Sequence, residues 1–185
     1  SRKRFAFDLE ICSLNDLDEC SRNKFEIVRN DDFAIRSFAV SVEGREVPFW
    51  SQPLIHSKSE GKVILYCKEI NGLLHFLVSH SCEVGFAEFV QFGPSIQILD
   101  QKNSTTFSEF EDKDLQIIGK YKQSDEGSRF YQSITEYSIV EINPEVTVES
   151  GNWMTLRQIY ELLATKGNFN NEFRSVLSIL LKFIC

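Results

Sequence analysis

The chain has no surplus of positive charge, no closely spaced cysteine pair and no long apolar run. Its 20 Lys and Arg are outnumbered by 27 Asp and Glu, for a formal charge of −7. A binder of nucleic-acid backbone needs a basic face that neutralises phosphates, so this balance excludes that class. A phosphorylated small molecule stays open, because a few well-placed Arg forks suffice to hold one. No apolar stretch reaches the ~18 residues that a membrane-spanning helix needs. Ser1-Arg2-Lys3-Arg4-Phe5 is basic, but no apolar run follows, so the sequence predicts no secretory signal. Only 4 Pro and 9 Gly occur in 185 residues, too few for a linker or a disordered tail.

The five Cys (Cys12, Cys20, Cys67, Cys82 and Cys185) include no Cys-x-x-Cys pair. The three His (His56, His75 and His80) do not supply the missing half of a zinc site. The spacing therefore predicts reduced thiols in a cytoplasmic protein and no metal ion. The glycine-rich phosphate loop, the dinucleotide fingerprint, His-Glu-x-x-His and Gly-x-Ser-x-Gly are all missing too.

What is present suits one domain with a small appendage. Apolar residues make up 42% and include 16 Phe, which promises an aromatic core. Residues 1–32 read as an N-terminal helical or extended segment, with a weak helical stripe over 14–29, and 33–185 as the main domain. From Phe33 to about Ile142 the pattern is strand-like. Strands are expected over Phe33–Val40, Lys62–Lys68, Leu73–Val78, Ala87–Leu99 (broken at Gly93-Pro94), Leu115–Ile118 and Tyr137–Ile142. Asn71-Gly72 predicts a type I′ hairpin turn, because both positions tolerate φ > 0. Residues 100–114 read as a polar loop. Thr155-Leu156-Arg157-Gln158 predicts a capping box, with apolar positions at Leu156, Ile159, Tyr160 and Leu163 and Gly167 as the stop. A second helix is expected after Asn170, with Phe173, Val176, Leu177, Leu180, Leu181 and Ile184 on one stripe. The composite is α+β, a largely antiparallel sheet followed by two C-terminal helices.

Several polar residues lie in apolar surroundings. Trp50-Ser51-Gln52-Pro53 reads either as a turn with a core indole or as a stacking face beside an amide. His75 and Glu141 sit within apolar strands, where burial would suit proton transfer, or a satisfied core His and an edge-strand carboxylate would serve equally. Arg129, in Asp125-Glu126-Gly127-Ser128-Arg129, offers a planar fork for a diphosphate or reads as a surface side chain. Asn168, Asn170 and Arg174 flank the last helix start, which makes an anion site or a simple cap.

Read together, Trp50–Ile55, Gly72–Val78, Pro94–Gln97, Glu126–Phe130, the Tyr137–Glu141 strand, Trp153–Gln158, Asn168–Asn170 and Arg174–Leu177 resemble one half of an NDP-hexose 2,3-dehydratase. The order and spacing agree across about residues 35–181. The resemblance implies a Nudix-like fold without the Nudix metal box, an NDP-4-keto-6-deoxy-hexose substrate and no cofactor. Members of the family commonly carry two tandem copies of the unit, so a homodimer is the expected partner arrangement here. By the same resemblance His75, Glu141 and Glu126 are candidates for proton transfer, and Arg129 and Arg174 for the diphosphate. Trp50, Gln52 and Trp153 are candidates for the base or sugar pocket, with Gln97 and Asn170 as polar positioners. Ser81-Cys82-Glu83-Val84-Gly85-Phe86 departs from the family's usual Lys-x-Glu-Pro-Gly-Asn. That departure keeps open a cofactor-free isomerase or a non-catalytic nucleotide-sugar-binding subunit.

Overall fold

The computed structural model describes residues 20–22, 26–29, 33–82, 90–98, 115–125, 129–148, 151–165 and 167–184. Their elements, in chain order, are β1 (Cys20–Arg22), β2 (Glu26–Arg29), β3 (Phe33–Ser41), β4 (Phe49–Ser57), β5 (Gly61–Ile70), β6 (Leu73–Cys82), β7 (Val90–Gly93), β8 (Ile96–Ile98), β9 (Leu115–Ser124), β10 (Ile134–Ile142), β11 (Asn152–Thr155), α1 (Leu156–Leu163) and α2 (Asn171–Ile184). The architecture is α+β and dominated by sheet. The expected polar loop at 100–114 lies outside the described residues.

The larger sheet has the order β11-β6-β5-β10-β9, with β7 added to β6 and β8 to β5. Its centre is the β5–β6 hairpin. Asn71 and Gly72 have φ of 53° and 77°, as the Asn-Gly step predicts. The hairpin zips from Ile70↔Leu73 to Cys67↔Phe76 and then forks. Beyond the fork β5 pairs with β8, and β6 with β7. Ser95, between β7 and β8, fills the crotch. Its hydroxyl accepts from the Tyr66 N–H at 2.8 Å and donates to the Leu77 carbonyl at 2.6 Å, replacing the ladder bonds lost there. On its other side β5 pairs with β10 in parallel, and β10 pairs antiparallel with β9.

One face of this sheet is covered by the helices. Val63, Leu65, Cys67, Phe76, Val78, Tyr137 and Ile139 pack against Ile159, Phe173, Val176, Ile179 and Leu180. Each large apolar side chain buried here stabilises by about 1.5–3 kcal/mol. The opposite face carries Ile64, Tyr66, Leu77, Ile96, Val140 and Ile142 against Trp153 and Val146.

The Thr155 capping box forms as read, the Thr155 hydroxyl accepting from the Gln158 N–H and the Gln158 amide oxygen accepting from the Thr155 N–H. Two details of the helices differ from expectation. Tyr160 is 74% exposed, because the buried stripe of α1 runs through Leu156, Ile159 and Leu162–Leu163. Gly167 does take a left-handed φ of 76°, but α1 has already ended at Leu163. Thr165 and the Asn168 side chain both donate to the Leu162 carbonyl and close the helix earlier. On α2 the buried positions include Ile179, while Leu181 is half exposed.

A second sheet has the order β1-β2-β3-β4. It corrects the helix expected over 14–29 at each described position. Tertiary pairing outweighs a weak 3.6 stripe: β2 lies against β3, and Arg36 pairs with Glu26 at 2.6 Å. Residues 14–19 of that expected helix lie outside the described ones. Trp50-Ser51-Gln52-Pro53 is likewise strand, not turn. Pro53 is tolerated because β4 is the edge of its sheet. The outer side of β4 is closed by the chain at 129–131, where Ile55 N donates to the Arg129 carbonyl and Tyr131 N to the Ile55 carbonyl.

Candidate functional site

A cavity of about 740 Å³ opens where β5, β10 and α2 all begin. Because β5 and β10 are parallel, their first residues lie at the same end of the sheet, and α2 starts against that end. Gly61, Thr135 and Tyr137 form one side of the cavity, Asp125 and Ser133 another, and Asn171, Glu172 and Ser175 a third. The lining is rich in hydroxyls and also holds the carboxylates of Asp125 and Glu172, the phenol of Tyr137, the amides of Gln123 and Asn171, and the Lys122 ammonium. The size suits a drug- or nucleotide-sized ligand.

Tyr137 is buried, at 5% exposure. Burial pushes its phenol above the usual tyrosine range. Hydrogen bonds from Ser175 and Thr135 oppose that rise, and the negative charges of Glu172 and Asp125 add to it. Asp125 is fixed in place, its carboxylate accepting from the Ser133 hydroxyl at 2.7 Å and its N–H donating to the Ser133 carbonyl at 3.0 Å. Lys122, also in the lining, is paired with Glu60 at 2.5 Å, which holds its pKa up.

None of the residues singled out as site candidates lines this cavity, but Asn170, Arg174 and Arg129 neighbour residues that do, and Gln97 is bonded to the first of them. Asn170, 1% exposed, caps α2 by accepting from the Phe173 N–H at 2.9 Å, and its amide donates to Gln97 Oε1 at 2.7 Å. It directly precedes the lining residues Asn171 and Glu172. The Arg174 guanidinium donates to the side chain of Asn171 and to the Phe169 carbonyl at 3.2 Å, so it lies over the same helix start. Arg129 is exposed and precedes Phe130, which lines the cavity.

The others lie elsewhere. Trp50 and Gln52 share a face of β4, the indole N–H donating to Gln52 Oε1 at 2.8 Å. Trp50 lines a second, more open depression with Arg45, Glu46 and Val47. His75 pairs with Lys68 across the hairpin, its ring nitrogen 2.9 Å from the Leu73 carbonyl. Trp153, on the same face, lies under Lys68 Nζ, 4.8 Å from the ring centroid. Glu141 shares the face of Tyr137 but is four residues further along β10, ~13 Å at the usual strand rise. Glu126 is outside the described residues.

The family model described as NDP-hexose 2,3-dehydratase matches residues 1–180. The chain belongs to this family. Among curated proteins, it is 32% identical over 181 residues to a dTDP-4-dehydro-6-deoxy-alpha-D-glucopyranose 2,3-dehydratase of Saccharopolyspora spinosa, covering 90% of this chain and 37% of that one. Proteins of the same name from Streptomyces violaceoruber and Amycolatopsis orientalis are 32% and 31% identical, over 72% and 71% of this chain and 33% and 30% of theirs. The chain spans about a third of the length of the curated relatives it matches.

Within this NDP-hexose 2,3-dehydratase unit, two sets of polar residues escaped the sequence reading. Tyr137, Thr135 and Ser175 gave no signal, since a Tyr in an apolar strand reads as core and the other two as ordinary hydroxyls. Only the parallel pairing of β10 with β5 and the packing of α2 bring them to one cavity. Lys68, 8% exposed, is the other miss. Its ammonium donates to the Val146 carbonyl at 2.8 Å and sits over Trp153, so its charge is compensated by carbonyls and an aromatic face. Among the described residues no three His, Cys, Asp or Glu side chains cluster as a metal site would require. No helix among them is long and apolar enough to cross a membrane.

Proposed function

We propose that this unit binds a nucleoside-diphosphate 4-keto-6-deoxy-hexose in the cavity at the start of β5, β10 and α2. There it removes water across C-2 and C-3, leaving a 3,4-diketo-2,6-dideoxy sugar. The observation that carries this reading is a polar cavity at the start of α2 with Asp125 and Glu172 in its lining, Arg174 bonded over the same helix start and Arg129 next to the lining residue Phe130, in a chain of the dehydratase family. The relatives' names favour thymidine as the nucleoside.

The chemistry asks little of the protein. The C-4 ketone acidifies the C-3 proton, so a carboxylate can remove it and leave an enolate. The C-2 hydroxyl then departs as water when an acid protonates it, and the resulting enol tautomerises. The diphosphate lies at the rim with the two arginines, whose forks match its oxygens. The sugar lies inside, where Asp125 and Glu172 supply the carboxylates. The reaction as written balances without an organic cofactor.

The parallel β5–β10 pair inside an otherwise antiparallel sheet, with α2 against it, supports a Nudix-like arrangement. Exposed Tyr160 and Leu181 on the outer helices support pairing with a second copy as an isologous dimer. The free thiols of Cys67 and Cys82 support a reducing, cytoplasmic setting.

The deciding experiment is incubation with thymidine-diphosphate 4-keto-6-deoxy-glucose, immediate trapping of the product, and mass spectrometry. Loss of one water supports the reading. A product of unchanged mass, or saturable binding without turnover, overturns it in favour of an isomerase or a binding subunit respectively.

A further inference from the structure

Tyr137 is a poor choice for a purely structural residue. Its ring belongs to the helix-covered core, yet it also lines the cavity. The hydroxyls of Ser175, from α2, and Thr135, from its own strand, both hydrogen-bond to it in the sense that favours phenolate. Ser175 and Thr135 share the cavity lining with Tyr137, so the phenol stands among the groups a ligand there would meet. Two carboxylates, Glu172 and Asp125, bear on the same group from opposite walls.

We infer that Tyr137 is the catalytic acid of the dehydration, a role that rests on the proposed reading of the cavity. A cavity carboxylate takes the C-3 proton. Tyr137 gives its proton to the C-2 hydroxyl as the C–O bond breaks, so one water leaves and a phenolate remains. Ser175 and Thr135 are placed to hold that phenolate. The C-3 enol O–H returns its proton to Tyr137, and C-2 receives one from the protonated carboxylate. Substrate equals product plus water, and both groups end as they began. Before reaction, burial keeps the phenol protonated, and the neighbouring carboxylates reinforce that state.

The test compares the unsubstituted protein with Tyr137→Phe and Ser175→Ala in heavy water, on thymidine-diphosphate 4-keto-6-deoxy-glucose. Tyr137→Phe keeps the ring and removes only the hydroxyl, and circular dichroism checks the fold. The expected result is a ~10²–10⁴-fold fall in kcat, the usual size of a general-acid contribution. Nucleotide-sugar affinity by calorimetry should hold, and deuterium should still enter C-3 of the recovered substrate, because reversible removal of that proton precedes the acid step. Ser175→Ala should lower kcat with KM unchanged, and if Tyr137→Phe does not fold, an unchanged kcat in Ser175→Ala overturns the assignment. Turnover by Tyr137→Phe at the unsubstituted rate overturns the assignment and leaves the dehydratase reading intact. Absence of water loss in the unsubstituted protein overturns both.

Discussion

His75 and Glu141 lie on opposite faces of one sheet. His75 pairs with Lys68, and Glu141 pairs with Cys67. Lys68 and Cys67 are consecutive on β5, and consecutive strand residues point to opposite sides. One unit therefore cannot use the two as acid and base on the same sugar. Glu141 is on the cavity's face but ~13 Å beyond Tyr137.

The first prediction follows from this separation. His75→Ala and Glu141→Gln should each fall well short of the ~10²-fold loss that removal of a proton-transfer group causes. Steady-state kinetics on the trapped product checks it. A loss of that size in His75→Ala, with the fold intact, moves the active site to the Lys68–Trp153 face.

The second concerns binding. Arg174 reaches over the first turn of α2, and Arg129 begins the stretch that closes β4. A diphosphate contact is made in ground and transition states alike, so its loss raises KM more than it lowers kcat. Arg129→Ala and Arg174→Ala should each weaken nucleotide-sugar binding about 10-fold or more, the size of one charge-assisted hydrogen bond. Isothermal calorimetry with thymidine diphosphate alone reads this directly. If neither variant weakens binding, the diphosphate does not lie at that rim.

Much of this layout was legible in the residues. Asn71-Gly72 announced its hairpin because both residues take up the left-handed φ values of a two-residue type I′ turn at little cost. Thr155 and Gln158 announced α1 because their side chains satisfy amides that any helix start leaves open. These are local devices, and local devices can be read locally. The strands β1 and β2 were not legible, because their state depends on pairing with each other and of β2 with β3. The cavity was not legible either. The β9–β10 pairing brings Tyr137 and Asp125 together, but Glu172 is far from both in sequence, and only the packing of α2 brings it to them. Asn170 could be read as a cap, but not its second bond to Gln97, 73 residues away.

The third prediction is about the fork. Ser95 satisfies a buried donor on Tyr66 and a buried acceptor on Leu77 at once. Ser95→Ala removes one hydroxyl and orphans both groups, at about 1–3 kcal/mol each. The urea midpoint should drop with little change in slope, since the surface exposed on unfolding is nearly the same. An unshifted midpoint would mean that the strands close over the gap.

The last prediction uses the register with which the first began. Cys67 is fully buried beneath the helices, and its thiol is pushed up to about 12, by desolvation first and by the charge of Glu141 second. In the unfolded chain the thiol returns to its ordinary value of 9.0. Below pH 9 both states hold the proton, so the buried thiol imposes no alkaline penalty. As pH rises from 9 towards about 12, the unfolded state releases its proton while the folded state keeps it. Unfolding is favoured by about 1.4 kcal/mol per pH unit across that window. Tyr66 and Tyr137 act in the same sense, but only above their ordinary value of 10.0. Between pH 9 and 10, stability should therefore fall in the unsubstituted protein and fall less steeply in Cys67→Ala. The small cavity left by the substitution lowers the whole curve without tilting it, so the slope is the quantity to compare. Glu141→Gln should show a partial effect, since it removes the smaller of the two causes. Urea titrations at pH 8, 9 and 10 measure all three proteins. Equal slopes would show that the Cys67 thiol is ionised as readily in the fold as outside it.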